Sequence, residues 1–111
     1  MSKSLFFKLI KCENCGYNYR YISDRKIKKY ICSGYSRQLN NGCKTRYAIK
    51  EDELIYMIQI FCNRNDMQIE YTNDFMKSII DRIYINRESD SIEIIYKNHE
   101  KSTYSRREVQ I

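Results

Sequence analysis

The chain has 111 residues, of which 42% are hydrophobic, a size that suits one domain with at most a small appendage. With no proline and only three glycines it lacks the composition of a disordered linker. Its formal charge of +6 is uneven: residues 1–50 carry twelve Lys/Arg against Glu13 and Asp24, and residues 51–111 carry eight against twelve acids. The strongly basic first half excludes a uniformly acidic protein and favours a polyanionic partner.

In chain order, Leu5–Ile10 reads as a short strand leading to a cysteine pair, and Ser4–Ile10, interrupted by Lys8, is far too short to span a bilayer. Gly16, just after Cys15, is placed where a tight knuckle calls for positive φ. Tyr17, Tyr19 and Tyr21 alternate with Asn18, Arg20 and Ile22, the two-residue period of a strand. Ser23–Lys26 turns the chain, and Ile27–Cys32 returns with Ile27, Lys29 and Ile31 on one face. Ser33–Gly42 is a polar loop ending in the turn signal Asn40-Asn41-Gly42, and Cys43–Ile49 reads as a third extended stretch.

The period then changes. Leu54, Ile55, Ile58, Phe61 and Cys62 form a helical stripe over Glu51–Cys62, with Glu51, Asp52 and Glu53 at the positive end of the helix dipole. Asn63–Asn73 is a polar connector. A second helix, capped by Asn73 or Asp74, presents Phe75, Ile79, Ile80 and Ile83. Ile83–Asn86 and Ile92–Lys97 read as strands joined by Arg87–Ser91, and residues from Asn98 onward, with Tyr104, Val109 and Ile111 as their few apolar side chains, as a mobile tail.

Five cysteines, with no secretory signal read before them, suit a reducing cytoplasmic compartment, where clustered thiols bind metal more often than they pair as disulfides. Cys12-x-x-Cys15 places two sulfurs on one turn, Cys32 ends the strand that returns beside them, and Cys43 follows a ten-residue loop able to close a tetrahedron. Four sulfurs around one Zn²⁺ leave no open position for substrate, so the metal is expected to be structural. Even with four thiolates and the ion counted, residues 1–50 keep a charge of about +8. A redox role for the Cys12/Cys15 pair is the competing reading, but the pair lacks the βαβ context and the helix that such motifs have. Cys62, on the helical stripe, reads as a small buried hydrophobe, and His99 as a solvated side chain.

Leu9-x-Lys11-Cys12-x-x-Cys15-Gly16, the basic hairpin, Tyr30-x-Cys32, Cys43 and Ile49-x-x-x-x-Leu54 together resemble the zinc β-ribbon domain of large serine recombinases. Phe75–Ile85 and Ile92–Lys97 look like the helix and closing strands that follow the ribbon in that family. The resemblance implies site-specific binding of double-stranded DNA at an attachment half-site, in the integration and recombination of a mobile element, beside other recombinase subunits. It carries no strand cleavage, because the catalytic serine of that family lies in a separate domain with no counterpart in this chain. Where many members insert a coiled coil, this chain has only the Asn63–Asn73 connector.

The expected architecture is α+β: a small zinc ribbon of β-hairpins around a four-cysteine site over residues 1–50, two short helices and a closing hairpin packed on it as one domain over 51–97, and the tail over 98–111. Candidate metal ligands are Cys12, Cys15, Cys32 and Cys43; candidate DNA contacts are Arg20, Arg25, Lys26, Lys28, Lys29, Arg37, Lys44 and Arg46. A two-stranded ribbon fits the major groove; Arg20, Arg25 and Arg37 suit base edges and the lysines suit phosphates. Tyr17, Tyr19, Tyr21, Tyr30 and Tyr47 interleave with these cations, either as the thin core over the metal or as stacking platforms for unpaired bases. Other readings are a zinc-ribbon module that docks a protein through its acidic half, and a stand-alone accessory nucleic-acid-binding protein. Nothing assembles a nucleophile, base and oxyanion site, so the chain reads as non-catalytic and nucleoid-associated.

Overall fold

The computed structural model describes residues 4–106. In chain order the elements are β1 (Ile10–Cys12), β2 (Tyr19–Asp24), β3 (Ile27–Cys32), α1 (Ser33–Ser36), β4 (Ala48–Lys50), α2 (Glu51–Arg64), α3 (Asn73–Ile79), β5 (Ile80–Asn86), β6 (Ser91–Tyr96) and β7 (Lys101–Ser105). They form two sheets, one of four strands in the order β1-β5-β6-β7 and one of three in the order β2-β3-β4. The α+β class is as the sequence implies, with one helical turn and one strand more than it signals.

The first sheet is antiparallel apart from β1, which lies parallel to β5 with Ile10 opposite Ile83 and Cys12 opposite Ile85. Parallel neighbours need a long crossover, and here everything from Glu13 to Ile79 intervenes. The cysteine-bearing β1 is thereby laid against the C-terminal half. Along β5 and β6, Ile83, Ile85, Ile92, Ile94 and Tyr96 are all buried, alternate residues turned to one side. Against them pack Leu54, Met57, Ile58, Phe61 and Cys62 of α2, and the Phe61 and Tyr96 rings stack face to face. Cys62 is the buried hydrophobe expected, and burial pushes its thiol pKa up.

The N-terminus of α2 is fixed locally. Lys50 N–H donates to Glu53 Oε2 at 3.0 Å, and three acids fill the first turn. Glu51 is more than a charge at the helix start. It is 7% exposed and accepts a 2.8 Å bond from Tyr30 Oη, which in turn accepts from Phe6 N–H at 3.1 Å. This chain of bonds ties the N-terminal segment to both β3 and α2.

Four expectations are corrected. Residues 5–9 form turns, with Lys8 at φ 62, so the first strand begins only at Ile10. Only Ala48–Lys50 of the stretch 43–49 and its neighbour is a strand. The second helix ends at Ile79 and its cap is Thr72, whose Oγ1 accepts from Phe75 N–H; Ile80 and Ile83 belong to β5. Finally, Lys101–Ser105 pairs along β6 as the outer strand where a tail without structure was expected; Val109 and Ile111 lie outside the described residues. Among the described residues no helix is long and apolar enough to cross a membrane.

Candidate metal centre and the basic hairpin

Cys12 closes β1, and the chain folds back at once: Gly16 N–H donates to Cys12 O and Cys12 N–H to Tyr17 O, both at 2.9 Å. Gly16 takes φ 82, the left-handed conformation that a side chain would oppose. The tight turn aims main-chain N–H groups at sulfur, those of Asn14 and Cys15 at Cys12 and that of Tyr17 at Cys15. A second turn repeats the device. Cys32 ends β3, and the short helical turn α1 directs the N–H groups of Gly34 and Tyr35 at its sulfur.

The second turn has no cysteine three positions on; Tyr35 stands at that place, and the fourth sulfur arrives from a distant part of the loop. What brings it there is a close approach of two backbones. A Cβ on Gly34 would fall 2.9 Å from Gly42 Cα and 2.8 Å from the Tyr17 ring, and one on Gly42 would fall 2.6 Å from Gly34 Cα. Only hydrogen fits at both positions, and the contact sets Cys43, next in sequence to Gly42, beside the first three cysteines. The wide Cys32–Cys43 spacing is thus a loop closed by paired glycines.

The Sγ atoms of Cys12, Cys15, Cys32 and Cys43 all lie within 4.8 Å of one another. Cys12–Cys43 is 3.6 Å and Cys15–Cys32 is 3.3 Å. Both exceed a disulfide bond of about 2.05 Å, and all five cysteines are free. Zinc–sulfur bonds of ~2.3 Å in a tetrahedron require sulfurs ~3.8 Å apart, so the donor set fits one Zn²⁺ in number, element and spacing. The metal would cross-link the two turns and the loop.

The electrostatics are those of thiols crowded together. Burial, partly countered by the N–H groups of Cys15 and Asn14, pushes Cys12 up to about 12. Burial also raises Cys15, but hydrogen bonds from Tyr17 N–H, the Cys32 thiol and Cys43 N–H outweigh it and bring the group down to about 7. Cys32 is raised, by burial first and then by its Cys15 neighbour. Without metal the set therefore holds its protons unequally, and a divalent cation would take their place.

Of the tyrosines, Tyr19 and Tyr30 are buried in the core and Tyr17 and Tyr47 half-buried, and Tyr30 packs on Phe6 and bonds Glu51. Tyr21 is 37% exposed and meets Tyr30 edge to face. The Tyr19 phenol is raised by burial and then by the Cys12 and Cys32 sulfurs. His99 lies exposed in the β6–β7 turn at φ 73.

The proposed cations fall into two groups. Arg20, Arg25, Lys26, Lys28, Arg37 and Lys44 are exposed and form no ion pair among the described residues. Lys29 and Arg46 instead converge on Asp24 Oδ2, at 3.4 and 3.6 Å. In the β2–β3 register Arg20 faces Ile31, Ile22 faces Lys29 and Asp24 faces Ile27, so Arg20, Asp24 and Lys29 share one side of the hairpin. Lys50, opposite Lys29 across β3–β4, extends that side and was not singled out from sequence.

A ribbon folded by two cysteine turns, closed by a glycine contact and equipped with four converging sulfurs defines a structural zinc ribbon. Residues 5–59, about half of the chain, match the family described as the recombinase zinc beta ribbon domain, and the segment is a zinc ribbon of recombinases with a site for one zinc ion. No curated protein and no solved structure gives a significant match to the chain.

Proposed function

We propose that the chain is a site-specific, non-catalytic DNA-binding domain of a large serine recombinase, seated on the outer part of an attachment half-site in double-stranded DNA and working beside other recombinase subunits. The observation that carries this reading is the β2–β3 hairpin, which projects Arg20, Arg25, Lys26 and Lys28 into solvent without counter-ions among the described residues. Arg37 and Lys44, on the metal-binding loop, add two more. A ribbon of this width enters the major groove, where an arginine can bond both O6 and N7 of guanine. Most of the cations would meet phosphate and set the register. The zinc holds the root of the hairpin, at Cys32, to the knuckle at Cys12–Cys15, so the finger would meet the duplex as a rigid body.

With about five phosphates neutralised, affinity for duplex DNA should fall with salt at a log–log slope of about −4 to −5. Gel retardation over a salt series measures it. Replacing Arg25, Lys26 and Lys28 together by glutamine should flatten the slope by about 2 to 3, with the zinc content unchanged. A triple variant with the wild-type slope would remove the hairpin as the contact surface.

A further inference from the structure

Arg87, the first residue after β5, lies outside the segment that matches the recombinase ribbon, yet it touches both cysteine-bearing loops. Its main-chain N–H donates to Asn14 Oδ1 at 2.9 Å, within the Cys12–Cys15 turn. Its Nη2 donates to Thr45 O at 2.7 Å and to Thr45 Oγ1 at 2.6 Å, two residues beyond Cys43. The guanidinium stands 5.4 Å over the Tyr47 ring and beside the Cys43 sulfur. Next to it, Glu13 N–H donates to Ile85 O at 2.9 Å, so the end of β5 is bonded to the cysteine turn at two successive points.

Zinc with four thiolates carries a net charge of −2. A half-buried site of that charge gains from a fixed cation, and a planar guanidinium that already spans two acceptors loses little freedom in supplying it. Partners of this kind orient the ligands of a metal and tune their basicity.

We propose that Arg87 is a positioning residue of the zinc centre: its guanidinium offsets the charge of the zinc–tetrathiolate group and holds the Thr45 loop so that Cys43 presents its sulfur to the metal. The C-terminal sheet thus completes a metal site whose four ligands all come from the ribbon.

The test is zinc affinity of the reduced full chain, by competition with a chromophoric chelator and without DNA, so that its result is independent of the DNA-binding reading. Arg87→Gln should weaken zinc binding by roughly 10–100-fold, and Arg87→Lys, which keeps the charge, should recover part of the loss. Lys97→Gln, an exposed cation after β6, should leave the affinity unchanged. Wild-type affinity in Arg87→Gln would overturn the proposal, and so would an Arg87→Lys chain as impaired as Arg87→Gln. If Arg87→Gln does not fold, cobalt titration of Arg87→Lys decides: a tetrahedral four-sulfur spectrum with about a tenfold loss or less supports the role, and a greater loss rejects it.

Discussion

Asp24 holds two of the eight cations that the sequence puts forward for DNA. Its carboxylate pairs with Lys29 and Arg46 on an exposed face, where such pairs contribute only ~0–1 kcal/mol to stability. Its main effect is on charge, because a polyanion approaching this face meets one carboxylate among the cations. Asp24→Asn should therefore leave the melting temperature nearly unchanged, raise affinity for duplex DNA severalfold at low salt and steepen the salt slope by about 1 to 2. Thermal unfolding and a salt series on the same preparation test both halves, and weaker binding by the variant would mean that Asp24 orders its cations for the duplex. At this scale the four metal ligands are legible in sequence because zinc accepts few residue types and two of them sit in a compact turn. Arg87 is not legible. Its role depends on β5 lying beside β1, and no local pattern around Arg87 records that pairing.

The hairpin shows a conflict between local propensity and charge. Its two-residue turn, Arg25-Lys26, has φ 52 and 68, the left-handed pair that Asn-Gly normally supplies. Left-handed backbone costs roughly 1–2 kcal/mol for a residue with a full side chain. Arg25→Asn with Lys26→Gly should thus stabilise the zinc-loaded domain by about 1–2 kcal/mol in denaturant, while weakening duplex binding and flattening the salt slope by about 2. Equal stability in the two chains would show that the turn carries no strain worth relieving. Ile27–Cys32 was legible residue for residue, since a strand bounded by a turn and a metal ligand has both ends marked. The boundary between α3 and β5 was not. Ile79, Ile80 and Ile83 satisfy a helical stripe as well as they satisfy a strand with the irregular pairing seen between Ile80 and Arg82. Lys101–Ser105 was missed for a related reason: an edge strand with one neighbour needs few apolar residues, and Tyr104 is the one large apolar side chain it has.

Across the whole molecule the two sheets are held together by different means. The four-stranded sheet buries Ile80, Ile83, Ile85, Ile92, Ile94 and Tyr96 against α2, an apolar core of ordinary kind. Fully burying side chains of this size contributes about 1.5–3 kcal/mol each. Between Ser33 and Tyr47, by contrast, the buried residues are Gly34 and Gly42, which bring no side chain, and Tyr35, Cys43 and Tyr47 are only partly buried against the core, so a metal on Cys43 would add a cross-link where apolar burial is thin. Removing zinc should accordingly divide the molecule. After chelation under reducing conditions, amides of residues 33–47 and of the β2–β3 hairpin should lose hydrogen-exchange protection by orders of magnitude, while those of β5 and β6 keep most of theirs. The Arg87 contacts would set how far the loosening spreads, since they run from the cysteine turns into the end of β5. Exchange followed by mass spectrometry on the metal-loaded and chelated chain resolves these regions. Uniform loss of protection would make the zinc site and the C-terminal sheet a single cooperative unit; unchanged protection at residues 33–47 would show that the four thiols hold the loop without metal.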